Sequence, residues 1–179
     1  MSNFDYAGRA RAVAAARAEV DAAIREVVNR NDERDPKTRR WLDALTTFYN
    51  ALQAAYPESF AAVDRGRASA DTLHTADMLD FLEADPIFFG SGYMKENILT
   101  CLKRRYLEPA HIRRLQDVIV ALVRRRDCRE FRHYCRTAAH VDGDRLRAAL
   151  QAIVIATDQD AQRRAIRMLE ALDKATRQR

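Results

Sequence analysis

The chain has 179 residues, of which 31 are Ala and 27 are Arg, whereas only five are Gly and four are Pro. Ala and Arg are among the best helix formers, and so few turn-forming residues exclude a sandwich or barrel of many short strands. The hydrophobic fraction of 47% and the charged fraction of 32% are those of a folded globular protein and exclude a disordered or collagen-like chain. We therefore expect an all-α protein that forms one domain over residues 1–179.

The second half of the chain carries the positive charge. Residues 1–94 hold 11 basic and 15 acidic side chains, a net charge of −4, whereas residues 95–179 hold 20 and 11, a net charge of +9. A surplus of one sign in one half favours an interaction surface there, which an acidic protein or a phosphate backbone would complement. The alternative left open is an arginine-rich surface that only meets solvent.

The three cysteines and the lack of long apolar stretches indicate a cellular compartment. An odd number of thiols in a chain too long to need disulfides favours a reducing environment. Cys128 and Cys135 lie seven residues apart on a predicted helix, so about 10.5 Å separates their Cα atoms, which is too far for a disulfide. Cys101 is the third thiol. No stretch approaches the ~20 apolar residues of a membrane span, so we expect a cytoplasmic protein without membrane contact.

Residues 1–66 are expected to form N-terminal helices. Apolar residues recur at helical spacing from about residue 5 to about residue 30. Asp35 followed by Pro36 is typical of a helix start, because Asp caps free N–H groups and Pro suits the first helical position. The apolar stripe of the helix that follows contains Trp41, Leu45, Phe48, Tyr49, Leu52 and Tyr56.

Residues 69–176 are expected to form six shorter helices that pair into three hairpins. Ser69 is a candidate cap for the first, and Asp85-Pro86 ends that helix. Pro109 starts the third helix. Asp127, with Glu130 three residues later, resembles a capping box at the start of the fourth. Asp158 is a candidate cap for the last.

The last two of these hairpins match each other at an offset of 31 residues. The matched pairs are Leu115 with Leu146, Ile119 with Leu150, Leu122 with Ile153, Val123 with Val154, Asp127 with Asp158 and Arg132 with Arg163. Residues 69–176 thereby resemble the HEAT-like α-helical repeat family, in which helix pairs stack into a right-handed solenoid. The resemblance implies stacked hairpins that the N-terminal helices pack against or cap. An irregular helical bundle remains open as the alternative.

No group of residues in the sequence is typical of a catalytic, metal or cofactor site. Four residue types found in zinc sites occur close together, at Cys128, His133, Cys135 and His140. At about 100° per residue, however, His133 lies about 140° around a helix from Cys128, so the four side chains do not converge. We expect no metal, no cofactor and no enzymatic activity.

One loop combines glycines, aromatic residues and a lysine at a predicted helix start. Its candidate binding residues are Phe89, Gly90, Ser91, Gly92 and Lys95. Backbone amides at a helix start bind anions, so an anion site is one interpretation. In the other interpretation the aromatic residues Phe88 and Phe89 fill the core and the glycines permit a tight bend.

A basic surface is the clearest candidate site. In HEAT-like stacks the second helix of each hairpin lines the concave face, and the resemblance therefore implies a partner-binding set of Arg104, Arg129, Arg132, Arg136, Arg163, Arg164 and Arg167. Arginine makes bidentate contacts with carboxylate and phosphate. We expect a non-enzymatic adaptor that binds an acidic protein partner, with nucleic-acid backbone binding as the alternative. Neutralisation of the arginines by Glu130, Asp160 or Glu170 would make the surface unremarkable.

Overall fold

The computed structural model describes residues 4–178, and this part of the chain is all-helical, which confirms the all-α part of the predicted fold. Among these residues there are nine α-helices, one 3-10 turn and no strand. The helices are α1 Tyr6–Ile24, α2 Pro36–Ala54, α3 Glu58–Asp64, α4 Thr75–Ala84, α5 Ser91–Leu102, α6 Pro109–Arg125, α7 Phe131–Ala138, α8 Asp144–Val154 and α9 Gln159–Arg177.

The helices belong to two compact units. The first unit contains the described residues up to Leu73 together with Ala84–Ser91, and the second contains His74–Glu83 and the chain from Gly92 onward. None of the helices within residues 4–178 has the length and apolar character that crossing a membrane requires.

In the first unit α1 packs against α2. The Asp35 carboxylate accepts a hydrogen bond from the Lys37 N–H, and Pro36 occupies the first turn of α2, as the Asp-Pro pair predicts. Phe48 on α2 is buried in a core that also contains Val13 and Val20 of α1. The helical spacing of apolar residues therefore places one face of each helix in the shared core.

Ser69 does not cap α4, contrary to the prediction. Its hydroxyl accepts a hydrogen bond from the Asp71 N–H and caps the 3-10 turn Ala70–Thr72. Leu73 is then extended and buried, so that α4 begins only at Thr75. Ser69 therefore caps a single turn, because the chain becomes extended directly after it and buries Leu73.

In the second unit several of the apolar pairs matched at an offset of 31 are buried to similar extents. Leu115 and Ile119 of α6 are completely buried, and so are their counterparts Leu146 and Leu150 of α8. α8 packs against α9, and both helices contact α6. The apolar stripes of α6 and α8 therefore belong to the core of this unit.

The capping box predicted at Asp127 is absent, and α7 begins four residues later, at Phe131. The Asp127 carboxylate accepts a hydrogen bond from the Cys128 N–H. The Glu130 side chain turns into the protein, where its carboxylate lies 3.9 Å from Nζ of Lys95. The carboxylate also lies 3.7 Å from the Arg126 guanidinium, and the Glu130 side chain caps no N–H of α7.

Candidate functional site

The arginines predicted to form one basic surface have different environments in the structure. Arg164 requires a correction, because it is only 8% exposed. Its Nε donates to the carbonyl oxygen of Val123 at 2.7 Å, and its Nη2 donates to that of Arg124 at 3.3 Å. These carbonyls belong to the last turn of α6, whose acceptors have no partner within the helix. Arg164 therefore caps α6 from α9, and its guanidinium is not offered to a partner.

Two further arginines on α9 are exposed but already have carboxylate neighbours. Arg163 lies 2.8 Å from Asp160, and Arg167 lies 3.3 Å from Asp127. The Arg167 guanidinium also lies 4.8 Å from the centre of the Phe131 ring. Intramolecular pairing thus offsets part of the positive charge of α9.

Arg129 precedes α7 and contacts α5. Its Nη2 lies 3.1 Å from the Glu96 carboxylate, and its guanidinium lies 3.8 Å from the centre of the Tyr93 ring. Tyr93 is 62% exposed, so this stacked pair remains on the surface. Together with Arg132, these residues line a groove of about 430 Å³. We call this feature, lined by Tyr93, Glu96, Arg129 and Arg132, the α5–α7 groove.

Three other predicted arginines, together with Lys103, keep their charges available to a partner. Arg104, Arg132 and Arg136 are exposed. Within residues 4–178 none of their side chains makes an ion pair or hydrogen bond, and the same holds for Lys103. Arg132 and Arg136 lie one turn apart on α7, so they present two positive charges on one face of the helix.

His133 lies among these cations. Its side chain is half-buried, and both of its ring nitrogens are closed to solvent without a hydrogen-bond partner in the described chain. Burial lowers the pKa of His133, the charges of Arg132, Arg136 and Lys103 lower it further, and Glu96 opposes them. The imidazole is therefore neutral at pH 7, and the cations around it carry the charge of the site. We call Lys103, Arg132 and Arg136 the cation cluster.

The predicted binding loop divides between the two units. In the first unit, Gly90 has a φ of +85°, a conformation that favours glycine, and the Ser91 hydroxyl donates to the Phe88 carbonyl oxygen at 2.8 Å. Phe89 is 68% exposed, so it does not fill the core. It lines an apolar cavity of about 370 Å³ together with Val13, Ala14, Arg17, Phe48 and Phe88.

In the second unit, Gly92 and Lys95 do not form the expected anion site. Lys95 is only 1% exposed and lies beside Glu130. A Cβ on Gly92 would lie 3.3 Å from a Glu130 carboxylate oxygen. An anion at the start of α5 would meet that carboxylate, and the two negative charges would repel each other. The interpretation in which Lys95 holds an anion therefore gains no support from these contacts.

Tyr93, Glu96 and His133 were not among the predicted site residues. Tyr93 and Glu96 are three residues apart and so share a face of α5, which was the available signal. His133 stands between two arginines in the sequence, but nothing local shows that its ring nitrogens are enclosed. The contact between α5 and the segment before α7 joins residues 33 positions apart.

Across residues 4–178, no three His, Cys, Asp or Glu side chains are grouped in a way that could hold a metal ion. Comparisons of the chain with models of protein families, with curated proteins and with solved structures find no match.

Proposed function

We propose that the chain is a non-enzymatic helical-repeat adaptor whose α5–α7 groove and cation cluster bind an acidic segment of a partner protein. One observation carries the proposal. Arg132 and Arg136 are exposed on one face of α7 and have no carboxylate partner among residues 4–178, whereas Arg163 and Arg167 do. An acidic partner supplies the missing carboxylates and relieves the repulsion between these like charges.

The composition of the groove favours a protein partner over a nucleic acid. The exposed Tyr93 ring beneath Arg129 is the kind of aromatic and arginine contact that dominates protein interfaces. The cation cluster offers three charges, whereas tight binding to DNA typically neutralises about 6–10 phosphates.

The contacts of two equivalent arginines support the helical-repeat part of the proposal. Arg114 on α6 lies 2.5 Å from Asp80 and 2.7 Å from Glu83, both on α4. Arg145, 31 residues later on α8, lies 2.6 Å from Asp117 on α6. Each arginine thus joins its helix to the one two positions earlier, as repeated hairpins in a stack would require.

Fluorescence anisotropy with a labelled helical peptide that has a Glu-rich face tests the proposal. We expect the full chain to bind this peptide, and the double substitution Arg132→Glu/Arg136→Glu to weaken binding by more than about tenfold, or ~1.4 kcal/mol. The control Arg65→Glu/Arg67→Glu changes the net charge equally on exposed residues of the other unit. Its affinity should stay within about twofold of the wild type.

Equal weakening by both double substitutions would mean that the peptide senses only net charge, which would overturn the assignment of the site. Labelled duplex DNA provides the second arm. If it binds more tightly than the peptide, with a steep dependence on salt, the nucleic-acid alternative replaces the protein partner.

A further inference from the structure

The environment of His133 makes the protonation of its ring sensitive to the charges at the same site. The neutral ring is enclosed, and neither nitrogen has a hydrogen-bond partner in the described chain. A buried polar group without a hydrogen-bond partner destabilises the folded protein. The charged groups that act on the ring come from the two helices of the site, with Glu96 and Lys103 on the side of α5 and Arg132 and Arg136 on α7.

We infer that binding of an acidic segment at the α5–α7 groove is coupled to uptake of a proton by His133, so that affinity increases as the pH falls. This inference rests on the proposed function, because the acidic segment is the ligand proposed above. The geometry supplies the coupling. The same cations that would bind the carboxylates of the partner are the ones that disfavour a charged imidazole.

The direction of the effect follows from linkage. In the free protein, burial and the cation cluster hold the pKa of His133 below its ordinary value of 6.5. Carboxylates bound at Arg132 and Arg136 offset those positive charges and favour the imidazolium, so the pKa of His133 is higher in the complex. Affinity therefore increases as the pH falls through the higher pKa, and it levels off below the lower one.

The peptide assay, repeated at about pH 6 and about pH 8, measures this coupling in a range in which Glu side chains remain ionised. We expect binding at least about threefold tighter at the lower pH, since each unit of pKa difference gives at most a tenfold change. His133→Gln should bind equally at both values, because a glutamine side chain of similar size does not titrate. His140→Gln, at an exposed histidine near the end of the same helix, should keep the pH dependence of the wild type.

NMR titration of the His133 ring gives an independent readout. Its midpoint should be higher in the peptide complex than in the free protein, and higher in free Arg132→Glu/Arg136→Glu than in the wild type. Peptide binding with equal affinity at both pH values and an unchanged midpoint would overturn the inference while the proposed function stands. Absence of peptide binding at both values would overturn the two together.

Discussion

At the scale of single residues, neighbouring arginines with the same sequence context have opposite environments. Arg163 is exposed and pairs with Asp160 one turn away on the same helix. Arg164 is buried and donates to the carbonyl oxygens of Val123 and Arg124. A step of one residue rotates a side chain by about 100° around a helix, which here separates solvent from core. Charge alone is therefore a poor guide to which arginines are available to bind a partner.

Substitution of these two neighbours distinguishes their environments. Arg164→Ala should lower the free energy of unfolding by about 2 kcal/mol, because two α6 carbonyls lose charged hydrogen bonds. Arg163→Ala should lower it by less than about 0.5 kcal/mol, because an exposed ion pair contributes little. Urea denaturation followed by circular dichroism measures both values. Similar losses for the two variants would contradict the capping assigned to Arg164.

At the scale of helices, the places where helices begin determine which charges face the surface. Because α7 begins at Phe131, Glu130 lies before its first turn and turns inward to Lys95. Arg129 stays outside and contacts Tyr93 and Glu96 across the groove. A helix beginning at Asp127 would have held Glu130 at the surface as part of a capping box. Because α7 begins late, Glu130 is not part of this helix. Arg132 therefore has no carboxylate near it on α7.

The start of α9 gives a prediction about pH. The Asp158 carboxylate accepts hydrogen bonds from the N–H groups of Asp160 and Ala161, and the one from Ala161 is the main cause that lowers the pKa of Asp158 below its ordinary value of 3.8. A carboxylate whose pKa is lower in the folded protein stabilises the fold at pH values above its pKa in the unfolded protein. This stabilisation is lost as the pH falls through its pKa in the folded protein.

Asp158→Ala should therefore lower the melting temperature at pH 7, and the difference from the wild type should shrink as the pH falls below about 4. Asp158→Asn keeps a capping oxygen and should lie closer to the wild type at neutral pH. Differential scanning calorimetry over this range measures both. A difference between Asp158→Ala and the wild type that is constant with pH would show that the carboxylate charge does not contribute to the cap.

At the scale of the whole molecule, only part of the positive charge of the second half of the chain is available for binding. Residues 95–179 carry a net charge of +9, but ion pairs and burial occupy several of their arginines. Within residues 4–178, the charges without an ionic partner that we assign to the site are those of the exposed Arg132 and Arg136 and of the half-buried Lys103. The net charge of the half thus overstates the charge that is available for binding.

Salt should therefore affect binding much more than folding. Raising the ionic strength from about 0.1 M to about 1 M shortens the Debye length from about 10 Å to about 3 Å. We expect the affinity for the Glu-rich peptide to fall at least about tenfold, because its carboxylates meet exposed cations. The melting temperature of the free chain should change little, since a buried apolar core stabilises the fold. Peptide affinity that is insensitive to salt would indicate apolar binding and contradict the electrostatic site.

Much of the fold and part of the candidate site could be predicted from the sequence, and the division has a physical basis. Helix starts such as Asp35-Pro36 and Asp158 depend on neighbours within one turn, so local sequence was sufficient for them. Arg132 and Arg136 belonged to the predicted partner-binding set, and both are exposed. The pairing of Arg129 with Glu96 could not be predicted, because 33 residues separate the two.

The residue pattern was sufficient to predict the all-helical class and the buried apolar stripes of α6 and α8. It also showed in which half of the chain the positive charge is concentrated. Contacts between distant parts of the chain were needed to show that Arg164 caps α6, that Glu130 pairs with Lys95 and that His133 is enclosed among cations. Helical periodicity specifies which side chains share a face, but not what that face meets. Neutralisation, burial and the pKa of a side chain depend on groups that folding brings from distant positions in the chain.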